Sequence, residues 1–126
     1  MRVILDTVTF IWAASTPQRL SRRAMSALRK GTAVREVSVV SLTEIALKQT
    51  RGKLRFSAND AMSGIADLWL RVLPYAAEHA FRLFDLPAHH ADPFDRQIIA
   101  QALIEDVPVI TPDQAFRLYE GLTVLW

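Results

Sequence analysis

Five short runs rich in β-branched and aliphatic residues punctuate this chain, and stretches with helical spacing separate them. The runs are RVIL (2–5), VSVV (37–40), VLPY (72–75), VPVI (107–110) and TVLW (123–126). Between them, residues 21–30, 41–50, 58–69, 77–85, 93–105 and 113–119 are predicted as helices. Such alternation restricts the fold strongly, because strands joined through helices pair in parallel and bury both sheet faces. An α/β fold with a mainly parallel sheet of about five strands is therefore expected. Pro74 argues that the third run lies at an edge.

The punctuation agrees. Ser21 and Ser41 suit helix N-caps, and Asp92-Pro93 and Thr111-Pro112 each pair a cap residue with proline at the first helical position. Gly52 suits a helix stop. In sheets of this kind, ligands gather beyond the carboxyl ends of the strands, where the strand order reverses.

A chain of 126 residues with 51% hydrophobic and 22% charged residues is expected to form one folded domain, 1–126. It has no cysteine, which excludes disulfides and thiolate metal sites and suits a reducing cytoplasm. The opening MRVILDTVTFIW has too short an apolar run for a signal peptide and is interrupted by Asp6. No apolar stretch approaches the ~20 residues of a membrane span. The expectation is a cytoplasmic protein with no membrane partner. The formal charge of +2 is close to balance, so composition favours an anionic partner only mildly.

Four acidic residues stand out by position. Asp6 directly follows the first run, and Glu44 lies in the helix after the second. Asp95 sits in the helix before the fourth run, and Asp113 lies just beyond that run. Each has an ordinary explanation. Ser41-x-x-Glu44 and Thr111-x-x-Gln114 have the form of capping boxes, and Asp92-x-x-Asp95 is similar. Glu44 can also pair with Lys48 one turn later.

Capping does not account for Asp95. Steps of three, four and seven from it reach Ile98, Ile99 and Ala102, so it lies on the stripe that faces the core. Inward-facing carboxylates repel one another unless a cation sits among them or they share protons. His79, His89 and His90 show no metal-ligand spacing with these acids. An all-carboxylate set selects a hard divalent ion, Mg²⁺ or alternatively Mn²⁺. The chemistry that fits is metal-assisted phosphodiester hydrolysis.

The residues around these acids resemble the PIN-domain family, and within it the VapC-type toxins of bacterial toxin–antitoxin systems. VILDTVTFIWA (3–13), SVVSLTEIALKQTRGKL (38–54), LPAHHADPFDRQIIAQAL (86–103) and VPVITPD (107–113) carry the likeness across nearly the whole chain. The resemblance implies a three-layer α/β/α fold and Mg²⁺- or Mn²⁺-dependent endoribonuclease activity. Asp6, Glu44, Asp95 and Asp113 match the family's acidic cluster, and Thr111 matches the hydroxyl residue beside its last member.

In that reading Asp6, Asp95 and Asp113 hold the ion. Glu44 ligates it, directly or through water, or positions the attacking water. Asp92 matches a frequent extra acid and reads mainly as an N-cap, with ligation as the other possibility. An RNA substrate, a cognate antitoxin protein and a homodimer are also implied. The chain departs from close relatives at Val8, where histidine is frequent, and at Thr43, where tryptophan is frequent. Neither change removes an expected ligand. The alternatives are a family member that binds a partner or RNA without cleaving, and a nuclease acting on DNA or structured nucleic acid.

Several other residues admit two readings. RGKLR (51–55) either steers a phosphate backbone or forms a solvated helix exit. Arg22, Arg23, Arg29 and Lys30 read as one solvated face. Trp12, Trp69, Phe10 and Phe94 read as packing residues rather than base-stacking ones. His89-His90 reads as structural, with an acid or phosphate-contacting role as the alternative.

Overall fold

A computed structural model describes residues 1–126. Five strands form one sheet in which every pair is parallel: β1 (Arg2–Leu5), β2 (Val34–Ser38), β3 (Leu70–Leu73), β4 (Val109–Ile110) and β5 (Val124–Leu125). Their spatial order is β3-β2-β1-β4-β5. The chain thus winds outward from β1 in one direction, then returns to its other side with β4. The order reverses between β1 and β4, which opens a crevice beyond their carboxyl ends. As Pro74 suggested, β3 is an edge strand, and the proline immediately follows it.

Six α-helices cover the sheet: α1 (Thr7–Ser15), α2 (Arg22–Arg29), α3 (Val39–Thr50), α4 (Ala58–Asp67), α5 (Ala77–Arg82) and α6 (Pro93–Glu105). Alternation along β1 divides the interior into two. Val3 and Leu5 point to one face, where they meet Phe10 of α1, Ala24 and Leu28 of α2 and Phe56. Ile4 points to the other, against Ile98, Ile99 and Ala102 of α6. This is the three-layer α/β/α arrangement. Gly64 lets α4 lie close on α1, for a Cβ there would stand 3.0 Å from that of Ala14.

Several boundaries differ from the sequence reading. β2 begins three residues early and ends at Ser38, leaving Val39 and Val40 to α3. Arg35 and Glu36 disguised this strand, because charged residues are rare in a central one. Glu36 is fully buried and tolerated because Arg2 Nε donates to it at 2.7 Å from the neighbouring strand. Ser38 rather than Ser41 therefore caps α3, its hydroxyl accepting from the Val40 amide. The Ser41–Glu44 capping box does not form, and the buried Ser41 hydroxyl accepts from Thr7 at 2.9 Å.

α1 was not anticipated. Its sequence TVTFIWAAS is β-branched and aromatic, with no polar stripe to reveal a 3.6-residue period. The helix assigned to 113–119 is a 3₁₀ turn, Gln114–Leu118, capped by Asp113 rather than by Thr111. The one assigned to 77–85 gives way after Arg82 to a 3₁₀ turn. Of the aromatic residues, Phe10 is core, but Trp69 is 80% exposed with φ of 55°. No helix is long and apolar enough to cross a membrane.

Candidate active site

The crevice at the carboxyl edge holds the acidic residues. Asp6 leaves β1 as the N-cap of α1, and its Oδ1 accepts from the Thr9 amide at 2.9 Å. Its other oxygen accepts from the Thr111 hydroxyl at 2.6 Å. The Asp6 amide donates to Ile110 O at 3.2 Å, so β1 and β4 stay joined up to the carboxylate. Thr111 Oγ1 also accepts from the Asp113 amide at 3.0 Å, which aims the Asp113 turn toward the same place.

Glu44 projects from the second turn of α3 and is buried, only 4% exposed. Lys48 donates to its Oε2 at 2.6 Å, while Oε1 is buried without a hydrogen-bond partner. Asp95 enters from the first turn of α6. That helix runs antiparallel to the strands, since it ends where the chain turns into β4, and its N-terminus therefore reaches the carboxyl edge. Asp92 caps it, Oδ1 accepting from the amides of Phe94 (2.9 Å) and Asp95 (3.2 Å).

One cavity of about 370 Å³ is lined by Asp6, Glu44, Asp92, Asp95 and Asp113, together with Lys48 and Lys53. All four carboxylates singled out from sequence thus meet in one place, and the capping residue Asp92 joins them. Thr111 lies beneath, as a buried donor to Asp6. From the basic run RGKLR, Lys53 and Leu54 reach the cavity wall.

The electrostatics are those of a site short of positive charge. Burial pushes the Asp6 carboxyl up to about 6, against the lowering effect of the bonds from Thr111 and Thr9. Burial, and then repulsion from Asp92, Asp6, Glu44 and Asp113, pushes Asp95 up to about 8. Lys48 is held above its usual range, first by its bond to Glu44. The donor set is rich in carboxylate oxygen, and the unpaired Glu44 Oε1 is a buried acceptor with nothing to accept. These residues fit a hard divalent cation.

The sequence shows no metal-ligand spacing between the histidines and these acids, yet the fold brings one histidine close to two of them. His90 stands beside two of the cavity's acids, with Nε2 at 3.6 Å from Asp95 Oδ2, and its ligating atom lies within 4.8 Å of those of Asp95 and Asp113. His90 precedes Asp95 by only five positions, but the segment between them is irregular up to Pro93, so helical periodicity gives no sign of the approach.

A doubly wound parallel sheet, with carboxylates from the segments after β1, β2 and β4 and from an opposing helix gathered at its switch point, defines a class of α/β proteins with an acidic crevice at the carboxyl edge. The family model of the PIN domain matches residues 3–122, and the chain belongs to that family. Among curated proteins no sequence matches. Solved structures with similar folds include VapBC2 from Rickettsia felis bound to a DNA fragment from its promoter. It has a TM-score of 0.74 and 16% identity, with 98% of this chain and 97% of that chain covered. DNA-bound VapBC from Salmonella typhimurium is similar at a TM-score of 0.70 and 18% identity, over 98% and 96% of the two chains. VapBC-5 from Mycobacterium tuberculosis, of the VapBC family of toxin-antitoxin systems, has a TM-score of 0.62 and 18% identity, again over 98% and 96%.

Proposed function

We propose that this protein is a divalent-metal-dependent endoribonuclease, the toxin of a toxin–antitoxin pair, and that its partner is a cognate antitoxin protein. One observation carries the reading: five carboxylates surround a single cavity in which a buried Glu44 oxygen lacks any partner. Family membership and the likeness to VapBC structures support it.

Asp6, Asp95 and Asp113 would hold Mg²⁺ or Mn²⁺, with Glu44 contributing directly or through water. When bound, the ion supplies positive charge against the phosphate oxygens and acidifies water. The chain's own groups do the remaining work. Thr111 and the Thr9 amide fix Asp6 in one orientation. Lys48 occupies Glu44 Oε2 and leaves Oε1 free to meet the ion or to position the attacking water. Lys53 and Lys48 attract the phosphate backbone to a cavity that would otherwise repel it. Asp92 spends one oxygen on the helix cap, which leaves the other for solvent or a water-mediated contact.

The deciding experiment compares matched RNA and DNA strands with wild-type and Asp6→Asn protein, with Mg²⁺ or Mn²⁺ present and after chelation. Metal-dependent cleavage of RNA by the wild type alone is expected. Unimpaired cleavage by well-folded Asp6→Asn protein would rule the assignment out. Transcriptome-wide mapping of new RNA ends after induction would then identify the target.

A further inference from the structure

The roles above leave His90 unused, although its Nε2 is buried with no hydrogen-bond partner beside Asp95 and Asp113, two acids of the cavity wall. The nearest acid, Asp95 Oδ2, stands 3.6 Å away, beyond bonding range. The opposite ring nitrogen is engaged: Nδ1 lies 2.8 Å from the Tyr119 hydroxyl. That hydroxyl also accepts from Arg96 Nη1 at 3.3 Å, and Arg96 is itself anchored on Pro87 O (2.7 Å) and Leu86 O (3.1 Å). Phe116 and Tyr119 flank the imidazole, with ring centroids 6.0 and 5.6 Å away.

Donor accounting sets the direction of this chain. A guanidinium only donates, so Arg96 takes a lone pair on the Tyr119 oxygen. Tyr119 is 2% exposed, and the one acceptor within reach of its hydroxyl hydrogen is His90 Nδ1. An uncharged ring accepting at Nδ1 carries its hydrogen on Nε2, and a charged ring carries one there as well. Either way an N–H is carried on the buried Nε2, on the side of Asp95. A cation ligand would need a bare Nε2, and that would leave the buried tyrosine hydrogen with no acceptor.

We propose that His90 is a phosphate-contacting residue: its Nε2–H donates to a phosphate oxygen of a nucleic-acid strand in the carboxylate cavity, and Tyr119 and Arg96 are positioning residues that fix its tautomer. This rests on the nuclease reading for the nature of the ligand. The hydrogen completes the site by meeting the anionic side of a substrate, where the carboxylates alone offer only repulsion. It also explains why Asp95 and His90 stay apart: the gap leaves the donor free for an oxygen that the strand brings.

The test combines three readings on the full chain. Nitrogen-15 NMR of the imidazole should find hydrogen on Nε2 in the wild type and a mixture of tautomers in Tyr119→Phe. A non-cleavable 2′-O-methyl RNA strand in Mg²⁺ should bind His90→Leu about tenfold more weakly, the size of a charge-assisted hydrogen bond. His90→Gln, which can still donate, should recover part of that loss. Titration with Mn²⁺ alone should give nearly the same affinity for wild type and His90→Leu.

A bare Nε2 in the wild type, or a tenfold loss of Mn²⁺ affinity in His90→Leu, would overturn the proposal and make the ring a ligand. Unchanged strand affinity in His90→Leu would overturn it while leaving the nuclease reading intact. Strand binding that depends on His90 in a protein that cleaves nothing would sink the nuclease reading alone. Failure of the wild type to bind the strand would sink both.

Discussion

Thr111 donates a 2.6 Å hydrogen bond to Asp6 across 105 positions of sequence, and the same oxygen accepts from the Asp113 amide. One hydroxyl thus joins the carboxyl ends of β1 and β4 and orients two of the acidic residues.

Thr111→Val keeps the shape and removes both roles. The Asp6 oxygen and the Asp113 amide would each lose a partner in a buried setting, which costs about 1–3 kcal/mol. Lower urea midpoints and weaker Mn²⁺ binding by calorimetry are expected together. A stability loss with unchanged ion affinity would show that Thr111 serves the fold alone.

The raised carboxyls make metal-free stability depend on pH. Asp95, at about 8, and Asp6, at about 6, keep protons in the folded state that the unfolded chain releases near its ordinary value. Their contribution is fully present below about pH 4, is lost progressively between about 4 and 8, and changes no further above that. In chelator, Tm should therefore fall by several degrees from about pH 5 to about pH 8. Asp95→Asn should flatten that slope. Mg²⁺ should restore more stability at the higher pH, because it binds the ionised form. Parallel pH profiles for wild type and Asp95→Asn would contradict the account.

Ser38 serves two elements at once. Its oxygen caps α3, and its hydroxyl bonds the buried Gln101 of α6, which in turn donates to Pro74 O at 3.1 Å. Ser38→Ala should cost about 1–3 kcal/mol, the sum of a lost cap and an unsatisfied buried amide. Ser41→Ala should cost less, since Ser41 caps nothing. Equal losses in chemical denaturation would count against this division.

At the opposite edge of the sheet, Arg2 pairs with the buried Glu36 at 2.7 Å and with Glu105 at 3.1 Å. Arg2→Met leaves the buried Glu36 with only Arg71 Nη2, 4.0 Å away, and should destabilise by about 3 kcal/mol. Adding Glu36→Leu should recover most of that loss, because a buried pair replaced by apolar groups is close to neutral. Failure of the double variant to recover would place the network's role elsewhere.

How much the sequence disclosed differed from element to element. The α6 stripe was legible because Ile98, Ile99 and Ala102 keep helical period, and Asp95 was visible as an interruption of it. α1 was hidden because it is apolar on nearly every side, so periodicity carries no contrast. β2 was displaced because Glu36 reads as a surface residue until Arg2 is known to lie beside it. Ser41 and Glu44 have the spacing of a capping box, yet the helix starts earlier, and local spacing cannot say where a strand stops competing for the chain.

The alternation of strand and helix, the breaks and the inward aspartate are set by neighbours within a few residues, so the one-dimensional pattern was enough to determine an α/β sheet and to mark its acids. The meeting of Asp6 with Thr111, the free oxygen on Glu44 and the turning of His90 toward Asp95 were decided only by tertiary structure. Asp6 and Thr111 are 105 positions apart and meet because the sheet closes at β1 and β4, and the His90 ring is held by Tyr119, 29 positions further on, so no local preference could set either distance.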